Sequence, residues 1–244
     1  ILPQVLYYIS AYCDLLNAGK IKMGDKVNYC VPTGNFGNIL ACWYAKQMGL
    51  PVGRLICASN SNNVLTEFIN TGVYDKNRPF HTTMSPSMDI LVSSNLERLL
   101  FALTGQDDAA VAGYMKQLSE TGRYEVTDDM KARLKGEFFG GFCDETKTGE
   151  IIARVWKEHG YLIDPHTAVA YQVMEEYRTA SRDDNQTVFV STASPFKFCD
   201  SVLSSLGVAD VREGIDALDQ LTEVTGYPAP VPLASLRNKA VRFE

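Results

Sequence analysis

Residues Val31-Pro-Thr-Gly-Asn-Phe-Gly-Asn38 have the composition of a backbone anion grip. A β-type run precedes them, and Ile39 to Met48 is a helical segment without an acidic residue. A strand, a turn rich in Gly and Asn, and a helix start bring backbone N–H groups and the positive end of a helix dipole onto one point. Gly34 and Gly37 let the backbone approach a ligand without Cβ clashes. Asn35 and Asn38 tolerate turn conformations and donate side-chain amides. No Gly-Lys-Ser/Thr follows, so the segment is not a P-loop. It also lacks the first glycine of a dinucleotide fingerprint, and no acidic residue stands about 20 positions on. What remains is the phosphate of a small monoester, or a plain strand-to-helix turn that binds nothing.

Other stretches carry polar groups at strand or helix ends. Thr192 follows the apolar run Thr187 to Ser191, at the carboxyl end where ligands of open α/β sheets bind. Thr192 or Ser194 also serves as a cap for a helix opening at Pro195, and Ser194 is the better cap. Ser59-Asn-Ser-Asn-Asn63 is either a loop ending in an N-cap at Asn63 or a polar strand end facing a site. Asp89, Glu97 and Arg98 lie in a third stretch, where Arg98 suits a phosphate or a carboxylate but more commonly pairs along a helix. Asp164-Pro-His166 holds the most suggestive of the three histidines, but the aspartate reads as a cap, which leaves a surface position open to His166. His81 lacks a partner pattern, and His159 sits at a helix end favourable to a cation. None of the three histidines is assigned to catalysis.

These residues need a scaffold of alternating elements. Helices are expected at Leu2 to Asn17, with Leu2, Val5, Leu6, Ile9, Cys13 and Leu16 as the apolar stripe, and at Asn38 to Met48 and Asn63 to Asn70. Strands are expected at Lys26 to Cys30, Arg54 to Ala58, Phe138 to Cys143 and, buried, Thr187 to Ser191. A capping box at Ser94-Asn-Leu-Glu97 opens a helix. Further helices are expected at Asp108 to Leu118, Asp128 to Leu134, Glu145 to His159, Pro165 to about Tyr177, Pro195 to Leu206 and Asp210 to Thr222. Strands separated by helices imply an α/β fold, a parallel sheet flanked by helices. The sheet domain is expected from residues 1–95 and 136–244, with residues 96–135 as a helical insertion.

The chain has 244 residues, 45% of them hydrophobic, and a formal net charge of −6. That balance argues against nucleic acid or an anionic membrane as partner. Six cysteines without C-x-x-C or histidines at zinc spacing indicate reduced thiols in a cytoplasmic protein and no metal site. No signal peptide and no apolar stretch of membrane-spanning length is found.

Several motifs in order resemble the threonine synthase family, fold type II pyridoxal-phosphate enzymes. They are Gly34-Asn-Phe-Gly-Asn38, Ser59-Asn-Ser-Asn-Asn-Val-Leu-Thr66, Ser85-Pro-Ser-Met-Asp-Ile90 with Ser93-Ser-Asn-Leu-Glu-Arg98, Asp164-Pro-His-Thr-Ala168 and Ser191-Thr-Ala-Ser-Pro195. The tail, Tyr227 to Pro232 and Leu236 to Phe243, is similar too, so the resemblance spans nearly the whole chain. It implies that Gly34, Asn35, Phe36, Gly37 and Asn38 hold the phosphate of pyridoxal 5′-phosphate and that Thr192 meets its ring nitrogen. It implies conversion of O-phospho-L-homoserine and water to L-threonine and phosphate. It also implies that the lysine forming the Schiff base lies in a segment upstream of Ile1, which would make this a C-terminal part, inactive alone. Lys20, Lys22, Lys26 and Lys197 are not credible substitutes. Another fold type II lyase acting on a phosphorylated or hydroxylated amino acid, or a non-catalytic scaffold of that fold, are the alternatives.

Overall fold

Short apolar runs alternate with amphipathic segments, and the computed structural model, which describes residues 1–240, resolves them into a parallel sheet between helices. In chain order these are α1 (Leu2–Asn17), β1 (Val27–Pro32), α2 (Gly37–Gln47), β2 (Val52–Ser59), α3 (Val64–Thr71) and β3 (Val73–Asp75). Then come α4 (Leu96–Leu103), α5 (Asp108–Thr121), β4 (Arg123–Glu125), α6 (Asp128–Glu137), β5 (Phe138–Phe142), α7 (Glu145–His159) and α8 (Pro165–Ser181). Last are β6 (Thr187–Phe189), α9 (Cys199–Ser205), α10 (Asp216–Thr225) and α11 (Val231–Ala234). The tail motif reaches residues 241–243, which lie outside the described ones.

The sheet runs β5-β2-β1-β6 with every pairing parallel. Alternate residues of β1 serve opposite faces, as the two-residue period of a strand requires. Tyr29 and Val31 pack with α1, α2 and α3, whereas Cys30 packs with Val169, Ala170 and Val173 of α8. All six residues of β1 are buried, including Asn28, whose side chain is hydrogen-bonded. The chain moves outward from β1 to β2 to β5 and then returns to β6 on the other side of β1. This reversal opens a crevice beyond the carboxyl ends of β1 and β6.

Several expectations are corrected. On α1, Leu2, Leu6, Ile9 and Cys13 are exposed, and the buried face is Val5, Tyr8 and Tyr12. Tyrosines whose hydroxyls find partners outcompete aliphatics that could equally have been buried. β6 is shorter than Thr187 to Ser191 and half-buried, since it is paired on one side only. Asn95, not Ser94, precedes α4, and no side chain caps it. The helix after Ser194 is a 3-10 turn, Pro195–Lys197, broken at Phe198 before α9 begins. α10 starts at Asp216 rather than Asp210, because Gly214 adopts a left-handed φ of 58° that ends any helix there. Inside the stretch expected to be helical, β4 pairs antiparallel with β3, and Tyr74 stacks on Tyr124 at 5.2 Å.

Candidate functional site

The Gly34–Asn38 turn leaves β1 at the crevice and opens α2. Phe36 has φ 62° and ψ −5°, left-handed for a bulky side chain, a conformation that costs about 1–3 kcal/mol. Its ring is buried against Phe138 at 5.9 Å, and this packing holds the turn. The carbonyls of the turn are drawn to one side. Gly34 O accepts from Ser93 Oγ at 2.8 Å, and Asn35 O accepts from Asn95 N at 3.1 Å and Asn95 Nδ2 at 2.8 Å. A trans peptide points its N–H opposite its C=O, so the amides of Asn35 and Phe36 face away from those partners. Among the described residues, no backbone N–H from Gly34 to Asn38 donates to a protein acceptor. These groups line a cavity of about 520 Å³.

The two glycines answer to the protein and not only to a ligand. A Cβ on Gly34 would lie 2.6 Å from the Ser87 carbonyl oxygen, and one on Gly37 would lie 3.3 Å from Asn95 Nδ2. The segment from Thr83 to Asn95 therefore forms a wall pressed against the turn. Asn60 and Asn62, at the end of β2, secure that wall. Asn60 Nδ2 donates to Thr83 Oγ1 and Asp89 Oδ1, both at 2.8 Å, and Asn62 Nδ2 donates to His81 O at 2.8 Å. Asp89 also accepts from Thr83 N at 2.9 Å. The polar run after β2 is thus a clasp, and Asn63 makes no cap.

Asn38 is oriented from the other side. Tyr8 Oη donates to Asn38 Oδ1 at 2.7 Å, with the Asn38 carbonyl at 3.0 Å. Burial pushes the Tyr8 phenol far above its ordinary range, so it remains a donor. With its oxygen engaged, the Asn38 amide is left to donate from Nδ2. Arg98 lines the same cavity, and no carboxylate does among the described residues. Its expected helix-face ion pair does not form: no salt bridge among the described residues includes it. The signal was in the sequence, since Ser94, Asn95, Phe101 and Ala102 at three and four positions offer no acid.

His166 is buried and not a surface residue. Its Nδ1 lies 2.8 Å from Asp164 Oδ1, and its Nε2 accepts from Ser87 N at 3.3 Å. Asp164 caps α8 by accepting from His166 N, as expected, and Ser194 accepts from Phe196 N. Thr192 emerges at the same end of the sheet as Gly34, because Val190 N bonds to Cys30 O and the strands are parallel. It is exposed and does not line the cavity with the turn. The structure thus joins Gly34–Asn38 with Arg98, and Thr192 is not among the residues that line their cavity. Tyr8 carries no motif, and Ser87, Ser93 and Asn95 lie in motifs that assign them no role; all four act through contacts across 30 or more positions.

Among the described residues, no cysteine or lysine lines this cavity. Burial pushes the thiols of Cys57 to about 12 and of Cys143 and Cys199 to about 11, which keeps them protonated. No group of three or more His, Cys, Asp or Glu among the described residues suits a metal, and no helix among them is long and apolar enough to cross a membrane. The arrangement suits the grip of a phosphate by backbone amides, a carboxamide and a guanidinium, with space beside it for a larger body.

Residues 167–236 match the family model described as threonine synthase, C-terminal. The human protein named threonine synthase-like 1 is 40% identical over 237 residues, which cover 96% of this chain and 31% of that protein. The threonine synthase of Pseudomonas aeruginosa is 39% identical over 202 residues, covering 83% of this chain and 41% of its own length. A PLP-bound threonine synthase from Brucella melitensis superposes with a TM-score of 0.83 at 35% identity, over 99% of this chain and 47% of that one. The chain therefore spans less than half the length of these proteins.

Proposed function

The chain belongs to the threonine synthase family, and on that premise we propose that the turn from Gly34 to Asn38 holds the phosphate of pyridoxal 5′-phosphate. The carrying observation is the set of backbone N–H groups that have no protein acceptor among the described residues, facing a cavity that those residues line with Arg98 and no carboxylate. This donor set fits a dianion, and the cavity of about 520 Å³ leaves room for more than a phosphate. The group supplies an electron sink for charge developing at the Cα of an amino-acid substrate. Everything else falls to the protein. Gly34, Asn35, Phe36, Gly37 and Asn38 orient the phosphate, and Thr192 meets the ring nitrogen from the β6 side. A neutral hydroxyl there does not hold that nitrogen protonated. Arg98 neutralises charge and is placed to meet either the cofactor phosphate or a phosphorylated substrate.

For the whole protein, we infer conversion of O-phospho-L-homoserine and water to L-threonine and phosphate in the cytoplasm. Residues 1–95 and 136–240 serve as the sheet scaffold, 96–135 form an insertion that is helical apart from β4, and the lysine that anchors the cofactor comes from a segment outside this chain. The threonine synthase-like relatives, as similar as the threonine synthases, favour a second reading: a related lyase acting on another phosphorylated or hydroxylated amino acid.

Titration of the isotope-labelled chain with pyridoxal 5′-phosphate tests the site. Amide resonances at 34–38 are expected to shift, and Thr192→Val to weaken the effect with the fold intact. Shifts confined to exposed lysines would sink the assignment. Turnover of O-phosphohomoserine by the assembled protein, with threonine as product, separates the two substrate readings.

A further inference from the structure

The anion turn leans on the wall at Ser87, and the Ser87 N–H is held from the far face of the sheet. Ser87 N donates to His166 Nε2 at 3.3 Å, and no other acceptor for it exists among the described residues. Its carbonyl occupies the space that a Cβ on Gly34 would fill. The N–H and the carbonyl of Ser87 belong to adjacent peptide planes joined at its Cα, so the position of this one residue limits how far Gly34 can move. To accept from Ser87, Nε2 must carry no proton, so the ring proton sits on Nδ1 and is donated to Asp164 Oδ1 at 2.8 Å. Asp164 is fully buried and also accepts from His166 N and Thr167 Oγ1, which fixes the carboxylate as an acceptor. Capping α8 requires only the contact with His166 N. The ring itself, packed at 5.0 Å against Phe198, reaches a second element for no capping purpose.

We propose that His166 is a positioning residue for the anion turn: Asp164 fixes its tautomer, and its Nε2 anchors Ser87 through the residue's N–H, so that the Ser87 carbonyl stays against Gly34 and sets the direction of the turn's N–H groups. The inference rests on the reading of Gly34–Asn38 as a phosphate site. It gives the Asp-Pro-His segment a task distinct from contact with the ligand.

Two substitutions separate the two ends of the imidazole. In His166→Asn the amide nitrogen stands near the Nδ1 position and keeps Asp164, but nothing reaches Ser87. In His166→Gln the longer side chain brings an amide oxygen near the Nε2 position. The probe is pyridoxamine 5′-phosphate, which lacks the aldehyde and cannot condense with lysines, with inorganic phosphate as a second arm. Binding is followed by the amide resonances of 35–38 in the 244-residue chain. His166→Asn is expected to weaken binding about three- to tenfold and to move the Ser87 and Gly34 resonances, the scale of one lost hydrogen bond. His166→Gln is expected to restore affinity to within about twofold. In the unmutated chain, the imidazole nitrogen spectrum is expected to show the proton on Nδ1. Unchanged binding in His166→Asn, equal weakness in both variants, or a proton on Nε2 overturns the proposal. Should a variant fail to fold, the tautomer in the unmutated chain decides. A failure of the phosphate reading looks different: the unmutated amides at 35–38 ignore both probes whatever the tautomer, and the positioning role falls with the site.

Discussion

The two ends of the parallel sheet use the same polar vocabulary and differ in what they leave unpaired. At the amino end, the buried Asn28 donates from Nδ2 to Asp183 at 3.0 Å and accepts from Arg54 N at 2.7 Å. Tyr177 also donates to Asp183, and Arg54 reaches the carbonyls of Lys135 and Gly136 at 2.8 Å. At the carboxyl end, the carbonyls of Gly34 and Asn35 are engaged while the amides of 34–38 have no partner among the described residues. Each end presses a glycine onto a polar neighbour. A Cβ on Gly53 would collide with Asn28 Oδ1, and one on Gly34 would meet Ser87 O at 2.6 Å. Since backbone donors in folded proteins are ordinarily paired, several unpaired donors in one turn point to a ligand, and tight glycine packing does not.

The comparison breaks most sharply at the glycines. Gly34→Ala and Gly53→Ala both force a shift and are each expected to cost about 1–3 kcal/mol in denaturant unfolding. Only Gly34→Ala should also abolish binding of pyridoxal 5′-phosphate, because it displaces the turn itself. Equal loss of binding in both variants would mean that general destabilisation, not the turn, sets the affinity. Arg98→Met comes next. Arg98 is exposed and carries no ion pair among the described residues, so stability should stay within about 0.5 kcal/mol. Loss of a charged hydrogen bond should weaken phosphate binding roughly 10- to 100-fold, and this loss should shrink as salt rises. A salt-independent effect would place Arg98 outside the site.

The same contrast shows what a sequence discloses. The strand–turn–helix at Gly34–Asn38, the Asp164 and Ser194 caps and the parallel sheet depend on short-range chemistry and were legible. Contacts of low local signature were not. β3 and β4 have three residues each and pair across about 50 positions, held by Tyr74 on Tyr124. On α1, aliphatics and tyrosines both repeat at helical spacing, and only the tertiary partners of Tyr8 and Tyr12 decide which face is buried. His166 read as a surface residue because its partner Ser87 lies 79 positions away.

A smaller effect sharpens the carboxyl end. Tyr8→Phe removes the hydroxyl that engages Asn38 Oδ1. The carboxamide can then rotate and turn an acceptor toward the anion, so binding should weaken about two- to tenfold. Asn38→Asp places an acceptor there permanently and should weaken it further by charge repulsion. If Tyr8→Phe binds phosphate as well as the unmutated chain, Asn38 does not donate its side-chain amide to the ligand.

The weakest predicted effect belongs to the amino end. Asp183 loses solvation on folding, but Tyr177, the Asn185 amide, Asn28 and Arg54 more than offset this and hold its carboxyl below the ordinary carboxylate range. A depressed carboxyl stabilises the fold above its unfolded value near 4 and loses that contribution as the pH falls through its folded value. Asp183→Asn should therefore lower stability at neutral pH, by no more than about 1 kcal/mol because solvent screens a group that is only half-buried. The gap from the unmutated chain should close as the pH drops below about 4. Urea unfolding of both chains between neutral and acid pH measures it, and a gap that persists in acid would assign the loss to packing and not to charge. Phosphate binding should be unchanged throughout at neutral pH. A variant that loses affinity there would tie the two ends of the sheet together and remove the distinction between a paired, structural end and an unpaired, ligand-holding one.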